Sequence, residues 1–303
     1  MRKTNLILLI LLVSVIRSAL YAQGCSDAGA CTAPGFALHN DSIHTSAVIN
    51  EIRLGFSYGN ADNAIRVIGQ YLEYHRQLDP LTRLSARLSE LAQFGNDIST
   101  WGPSDLFLNG SFGLSNVLSV SAGVKLPLMQ ADRSLNGLPL PMDYQSSLGT
   151  VDLLLGLNYR YGAWRMLFAW QQTLTQNKNR FDPNLYPGDS PLNGFADTRS
   201  YSRQGDVLLR LSHAFQLKKW TLTPGILPIY HLGNDSYEDD LGTEREIEGS
   251  AGLTLNAIAY IDYSFSRASA LQWNFGFPLV VRESRPDGLT RGFQTSIEYR
   301  IRF

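Results

Sequence analysis

Hydrophobic and polar residues alternate along most of the chain from residue 50 to residue 303. The final stretch alternates most clearly: Phe293, Ile297, Tyr299, Ile301 and Phe303 share one face, and Gln294, Ser296, Glu298, Arg300 and Arg302 share the other. A period of two residues predicts β-strands. A soluble sheet also alternates, with its apolar face toward a core. In a transmembrane barrel the apolar face meets lipid and the polar face meets the lumen. This charged, alternating strand ending on the aromatic Phe303, taken together with the leader described below, favours the barrel.

The strand-like stretches number twelve, with fourteen as the alternative because 174–204 and 220–231 are hard to interpret. An even number suits a single-chain bacterial barrel whose ends both face the periplasm. The even-to-odd links are short, whereas the odd-to-even links are mostly long: 95–103, 127–149, 174–204, 232–248 and 283–290. Short periplasmic turns and long external loops are the asymmetry of such barrels. The predicted fold class is therefore all-β, a transmembrane antiparallel β-barrel over 47–303.

Residues 1–22 have the features of a secretory signal peptide. Arg2 and Lys3 precede an apolar run over 6–16, and the predicted cleavage follows Ala22. The apolar run is too short for a spanning helix. A cut before Cys25, which would produce a lipoprotein, is the alternative. The expected location is the outer membrane of a Gram-negative cell.

Residues 23–46 form an N-terminal segment rich in Gly, Ala, Ser and Asp, without periodicity. Its residues Cys25 and Cys31 are the two cysteines of the chain. In an exported protein this spacing predicts a disulfide that closes the segment on itself, and two unpaired thiols are the alternative. The segment is a candidate plug for the lumen.

Composition narrows the classes of partner. A mean hydropathy of −0.12 is wrong for a helical membrane protein but suits a barrel. Loss of Arg2, Lys3 and Arg17 with the leader takes the formal charge from −1 to −4. Nothing therefore indicates nucleic acid, which would need a basic domain. The cysteine spacing is not that of a metal site, and we predict no metal and no cofactor.

Charged residues in the inward phase are candidates for a functional site. Closure of the barrel places the first strand beside the twelfth, so Glu51 and Arg53 could meet Glu298 and Arg300. These charges could fill a narrow pore as ion pairs, since a buried charge must be paired, or they could line a path for a solute. The full set of lumen-lining candidates is Glu51, Arg53, Arg83, Arg87, Lys125, Asp152, Arg160, Arg165, Arg210, Glu298, Arg300 and Arg302.

A second candidate lies in the wall of the barrel. Pro224, Gly225 and Pro228 fall within one predicted strand. Because proline cannot donate to a β-ladder, these three residues are candidates for a lateral gate from lumen to lipid. A bulge that only redirects the strand is the alternative.

Catalysis has little support in the sequence. Ser212 and His213 are strand neighbours that point to opposite faces, which excludes them as a dyad, and no hydrolase, zinc-protease or phosphate-loop motif is present. We predict that the protein is not an enzyme. An outer-membrane lipid hydrolase remains an alternative, since its site could be assembled across strands. The acidic run between 235 and 248 could bind Ca²⁺, although a solvated loop is the simpler interpretation.

Part of the chain resembles a known family. The span comprises 104–108, the stretch Ser-Ala-Gly-Val-Lys-Leu-Pro-Leu at 121–128, a loop ending Leu148-Gly149 and the alternating strand 151–161. It resembles the outer-membrane β-barrel family of aromatic meta-degradation pathways, which is similar to long-chain fatty-acid transporters. The usual Pro-Thr-Gly corner is Pro127-Leu128-Met129 here. The stretch Gln-Gly-Cys-Ser-Asp-Ala-Gly at 23–29 also resembles uncharacterised outer-membrane proteins of the Bacteroidetes type. The resemblance implies transport of small hydrophobic compounds and carries over no substrate residue.

The favoured function is passive passage of a small molecule, hydrophobic if the resemblance holds, through the lumen or side wall. The alternatives are the lipid hydrolase and a structural or adhesive barrel that acts through its external loops. The expected partners are outer-membrane lipid, a small-molecule solute and the barrel assembly machinery, which would bind the C-terminal strand ending at Phe303. No nucleic acid is expected.

Overall fold

The computed structural model describes residues 50–288 and 292–303. The predicted leader 1–22, the N-terminal segment 23–46 and the Cys25–Cys31 pair lie outside the described residues. Twelve long strands are present: β1 (Asn50–Asn60), β2 (Arg66–Gln77), β3 (Thr82–Gly95), β4 (Ile98–Gly113), β5 (Leu118–Pro127), β6 (Asp152–Tyr161), β7 (Trp164–Thr173), β8 (Asp206–His213), β9 (Trp220–His231), β10 (Gly252–Ser264), β11 (Ser269–Val280) and β12 (Phe293–Arg302).

These strands form one closed antiparallel barrel. Each pairs with its neighbours in chain order, and β12 pairs with β1 to close the ring. A short extra strand, Phe215–Leu217, continues the line of β8 and pairs with β9. At the seam, Asn50 and Phe303 exchange two backbone hydrogen bonds of 2.9 Å. The predicted all-β, twelve-stranded fold is confirmed.

The outer face of the barrel is apolar. Leu54 and Phe56 on β1 are 54% and 52% exposed, and Phe168 on β7 and Trp220 on β9 are each 50% exposed. A water-soluble protein rarely exposes so continuous an apolar surface. In hydrocarbon, however, this surface is favourable, and the closed ladder leaves no backbone edge unpaired. Among the residues that the structure describes, no helix is both long and apolar enough to cross a membrane.

We call the end of the barrel that carries Asn50 and Phe303 periplasmic and the opposite end external. The connections at the periplasmic end are short and those at the external end are mostly long, largely as predicted. The predicted long loop over 95–103 was wrong, because β3 and β4 are joined by Asn96 and Asp97 alone, with left-handed φ values of 51° and 59°. Pro103 lies within β4 beside a register shift between Leu88 and Glu90, the kind of irregularity at which a strand tolerates proline.

The external connections carry small elements of their own. Two hairpins pair Ser134–Leu135 with Leu138–Pro139 and Ser236–Glu238 with Glu244–Glu246. The 3₁₀ turns are Met142–Tyr144, Pro183–Leu185 and Pro191–Gly194. In the last two, Asp182 and Ser190 accept backbone N–H bonds at the start of the turn, and a proline occupies the first position, as is usual for helix N-termini.

The external connections pack together into a loop cap, which we define as residues 61–65, 128–151, 174–205, 232–251 and 281–288. One apolar cluster contains Ile65, Val67, Leu140, Tyr144, Phe181, Leu192 and Phe195. A second contains Ala131, Met142, Leu148, Tyr201 and Ile247. Four of the connections, all except 281–288, contribute to these clusters. Because they start at different points of the ring and share the clusters, they converge over the external opening.

Hydrogen bonds fasten the loop cap to the wall. The Tyr144 hydroxyl donates to the Gly95 carbonyl at 2.9 Å, and the Gln93 amide donates to the Gln145 carbonyl at 2.8 Å. The buried Asn179 amide donates to the carbonyls of Ala131 and Leu140 at 2.8 and 3.1 Å. These buried polar groups are thus paired, as a stable packed loop layer requires.

Candidate lumen site

All twelve predicted lumen-lining residues lie on the inner face of the barrel. Their strands alternate inner, more buried positions with outer, more exposed ones. Arg53, Lys125, Asp152 and Arg210 are each at most 2% exposed. That these residues line the path of a solute stays a prediction.

A line of alternating charges crosses the periplasmic half of the inner face, which we call the charged wall. Arg53 contacts Glu51 and lies 3.3 Å from Glu73 and 3.9 Å from Glu298. The ends of the line are Arg302, which donates to Glu51 at 2.6 Å, and Arg87, which lies 3.6 Å from Glu73.

The charged wall continues onto β10. Arg300 pairs with Asp262 and lies 3.6 Å from Glu298. The Tyr71 hydroxyl donates to Glu298 at 2.6 Å, and the Arg87 guanidinium lies 3.4 Å from the centre of the Tyr71 ring. The predicted meeting of the first and twelfth strands therefore takes place through these side chains. Their mutual pairing is what allows so many charges to be buried together.

Lys125 and Asp152 form a separate pair toward the external end. The Lys125 ammonium lies 2.7 Å from Asp152, whose other carboxylate oxygen accepts from the Thr150 hydroxyl at 2.7 Å. The remaining predicted residues lie nearer the periplasmic end, where Arg83 donates to Gln77 at 3.0 Å. Arg160, Arg165 and Arg210 share that level on β6, β7 and β8.

The opposite inner face carries an apolar wall that the sequence analysis missed. It consists of Phe107, Leu154, Leu167, Ala169, Leu208, Leu227, Ile229 and Ile258, all at most 5% exposed. A signal for it was present, since Leu154, Leu167 and Leu208 each stand between two outward-facing apolar residues. A strand that is apolar on both faces indicates burial on both sides, which in a barrel means lipid outside and an apolar lumen surface inside.

Several polar atoms within the lumen have no hydrogen-bond partner among the described residues. They include the hydroxyls of Thr223 and Thr254 and the amide oxygen of Asn256, on β9 and β10. These three side chains are at most 1% exposed. Unpaired buried polar atoms are unfavourable unless water or a ligand satisfies them, so this part of the lumen can hydrogen-bond to a guest molecule.

A buried ionic network, also unpredicted, joins the loop cap to the external ends of β8 and β9. His231 lies 2.7 Å from Asp206 and 2.8 Å from Asp235. Arg203 lies 2.6 Å from Asp206 and 3.3 Å from Asp287. Burial alone would lower the pKa of Arg203, but these carboxylates hold the pKa well above its usual range, so the guanidinium stays charged.

The predicted gate residues lie at the seam between β8 and β9. Pro224 and Pro228 occupy outward positions, and Gly225 faces inward. Within the described strands, the ladder is interrupted between the pairs Leu208–Ile229 and Leu211–Ile226, where Pro228 offers no N–H. The pairing keeps one register on both sides of this gap, so the strand is not bulged there. A gate at the seam stays a prediction.

His231 and His213 make structural contacts. Both ring nitrogens of His231 face carboxylates, and the ring of His213 lies 4.8 Å from that of Trp164. The acidic run between 235 and 248 is tied within the cap: Asp235 accepts from the Tyr201 hydroxyl at 2.7 Å, and Asp239 accepts from Arg245 at 2.8 Å. No group of potential metal ligands occurs within 50–288 and 292–303.

No protein-family model matches the chain, and no curated protein matches its sequence. Solved structures do match. The COG4313 outer-membrane channel from Pseudomonas putida F1 has a TM-score of 0.56 at 16% identity, covering 88% of this chain and 100% of that one. A TodX monoaromatic hydrocarbon channel mutant has a TM-score of 0.45 at 13% identity, covering 94% and 97%. The fold is therefore that of a Gram-negative outer-membrane β-barrel.

Proposed function

We propose that the protein is an outer-membrane channel for passive passage of a small molecule that contacts the apolar wall. The apolar wall is the observation that carries this proposal. A barrel needs apolar residues outside, where lipid lies, but has no such need inside. Eight apolar side chains pack against one another on the inner face, so an apolar solute that inserts among them leaves water. The likeness to the COG4313 outer-membrane channel supports passage, in preference to catalysis or adhesion.

The solute has an apolar body and at least one hydrogen-bonding group. Asn256 and Thr254 lie next to apolar-wall residues across the β9–β10 ladder, where their partners are Leu227 and Ile229. Their unpaired atoms would complement a polar group on the solute. This agrees with the resemblance to the family of aromatic meta-degradation pathways, of which we propose that the protein is a distant member that takes small hydrophobic compounds.

We further propose the β8–β9 seam as the exit into lipid. The apolar-wall residues Leu208, Leu227 and Ile229 lie on the inner side of the seam, and the ladder is interrupted at the same level. The charged wall restricts the straight route, because it buries ion pairs that an apolar solute cannot replace. A solute that leaves the lumen at Pro228 would pass from contact with the apolar wall to contact with the acyl chains of lipid.

A disulfide staple tests the exit. The register places Leu209 opposite Pro228 on the outer face, so the variant L209C/P228C, made with Cys25 and Cys31 replaced by Ser, would lock the seam. The variant F168C/L209C is the matched control, since it staples the paired positions of β7 and β8. Gram-negative cells that produce each variant would be exposed to N-phenyl-1-naphthylamine, a neutral apolar dye that fluoresces in lipid.

We expect the oxidised seam staple to reduce dye entry to that of cells without the protein, and reduction of the disulfide to restore it. The control staple should leave entry unchanged. Equal entry with and without the seam staple would refute the lateral exit. Absence of protein-dependent dye entry in the unstapled chain would refute passage of apolar solutes.

A further inference from the structure

A basic cavity lies at the periplasmic mouth, away from the apolar wall. Its volume is about 240 Å³, and it is lined by the turns on either side of β9–β10 and by the end of β12. The charged residues that line it are Lys218, Lys219, Asp262, Arg267, Arg300 and Arg302. The cavity thus contains five cationic side chains and one carboxylate.

Three of these cations have no carboxylate partner within 50–288 and 292–303. Arg300 is neutralised by Asp262 and Glu298, and Arg302 donates to Glu51. Lys218, Lys219 and Arg267 are exposed and form no ion pair. The lone carboxylate is already engaged, so the cavity presents an excess of positive charge and of hydrogen-bond donors.

Hydrogen bonds hold the turns that carry these cations. The Ser264 N–H donates to the Lys219 carbonyl at 2.9 Å, which ties the two turns together. The Ser266 hydroxyl accepts from the N–H groups of Ala268 and Ser269, both at 3.1 Å. A rim fixed in this way loses less conformational freedom on binding than a loose cluster of lysines would.

Aromatic residues on the outer face of the same turns indicate the level of the cavity relative to the membrane. The rings of Trp220 and Tyr263 pack at a tilt with their centres 4.6 Å apart, and the Phe265 ring meets that of Tyr263 edge to face at 4.9 Å. Aromatic residues at this position form the girdle of a barrel at the membrane surface. The cavity therefore opens at the level where lumen, periplasm and lipid headgroups meet.

The distribution of charge along the barrel indicates the side from which an anion approaches. Among the described residues, acidic side chains outnumber basic ones about two to one in the external half, and basic ones outnumber acidic ones about two to one in the periplasmic half. An anion from outside meets repulsion first. An anion in the periplasm meets the basic mouth first, and the field of the mouth raises its local concentration.

We propose that the periplasmic mouth is a binding site for an oxyanion, carboxylate or phosphate, which arrives from the periplasmic side. Lys218, Lys219 and Arg267 provide the charge, and the neighbouring hydroxyls provide further donors. The oxyanion can belong to a free solute or to a phospholipid headgroup, and both sources share this chemistry. The site does not depend on the passage of an apolar solute.

Calorimetric titration of the refolded full chain with inorganic pyrophosphate tests the site. The measurement uses a non-ionic detergent at about 50 mM salt, where surface charges are little screened. The test variant is K218S/K219S/R267S. The matched control is R66S/K178S/R180S, which removes three exposed external cations that likewise form no ion pair among the described residues. Heat-modifiable gel mobility verifies that each variant is folded.

We expect the test variant to bind pyrophosphate about tenfold more weakly, since each exposed charge contact contributes little alone, and the control to bind like the natural chain. Equal weakening by both variants would show a non-specific charge effect and overturn the site, as would undetectable binding by the natural chain. Repetition in phosphatidylglycerol and phosphatidylcholine nanodiscs identifies the source. Competition by the anionic lipid assigns the site to a headgroup, and its absence assigns the site to a free solute.

Discussion

Arg53 provides the sharpest test of the charged wall. The side chain is 2% exposed and contacts three carboxylates, those of Glu51, Glu73 and Glu298. The substitution R53Q removes the only positive charge that all three share. Glu73 retains Arg87, and Glu298 retains Arg300, so the barrel can still form, but with an uncompensated buried negative charge.

The expected loss follows from this geometry. Removal of one partner of a buried ion pair costs about 3–5 kcal/mol, because the other charge remains desolvated. We expect R53Q to lower the free energy of unfolding by this amount. The substitution E51Q should cost less, since Arg53 keeps two carboxylate partners. Arg302, the other partner of Glu51, is about one-third exposed and can be hydrated. The double variant R53Q/E51Q restores neutrality and should recover part of the loss.

Urea-driven unfolding in lipid vesicles, followed by tryptophan fluorescence and gel mobility, gives the four free energies of this cycle. The informative quantity is the coupling between the two substitutions. Coupling close to zero, or a loss below about 1 kcal/mol for R53Q, would refute the account of the charged wall as a mutually dependent network.

Three further predictions concern the apolar wall and the loop cap. L227S on the inner face should reduce dye entry, whereas I226S, one residue away on the outer face, should not; equal effects would contradict the apolar wall as a solute surface. Burial, reinforced by the charge of Asp235, holds the pKa of Tyr201 well above its usual range. The stability that this hydroxyl contributes is therefore present below about pH 10 and is lost as pH rises toward the folded-state pKa. Y201F should accordingly be less stable by about 1 kcal/mol at pH 8, with a difference that narrows above pH 10 in urea titrations; a constant difference would contradict this. N179A should expose 174–205 to protease faster than N193A on the cap surface, and equal cleavage rates would show that Asn179 does not hold the loops.

The sequence predicted the barrel because lipid and lumen impose opposite chemistry on alternate residues. β12 and β6 show that alternation clearly, and the pairing of Glu51 and Arg53 with the last strand follows from closure alone. The loop expected over 95–103 shows the limit of local signals. Gly95, Gly102 and Pro103 are loop-forming residues by propensity, but the pairing between β3 and β4 keeps all three in strands.

The apolar wall and the ionic network escaped prediction for a different reason. Leu154 and Leu208 are apolar residues among apolar neighbours, so the phase of the alternation is lost where the lumen itself is apolar. The ionic network includes Arg203, Asp235 and Asp287, which come from three separate connections. Such contacts have no period along the chain, and only the closed ring brings them together.

The loop cap also sets how the external end opens. Four of its five connections share two apolar clusters, so none of these four can move aside without removing packing partners from the others. Elements coupled in this way open together or remain closed, as one cooperative unit. We therefore expect the external mouth to open and close as one unit, and the packing of the loop cap, rather than the width of the barrel, to limit passage through it.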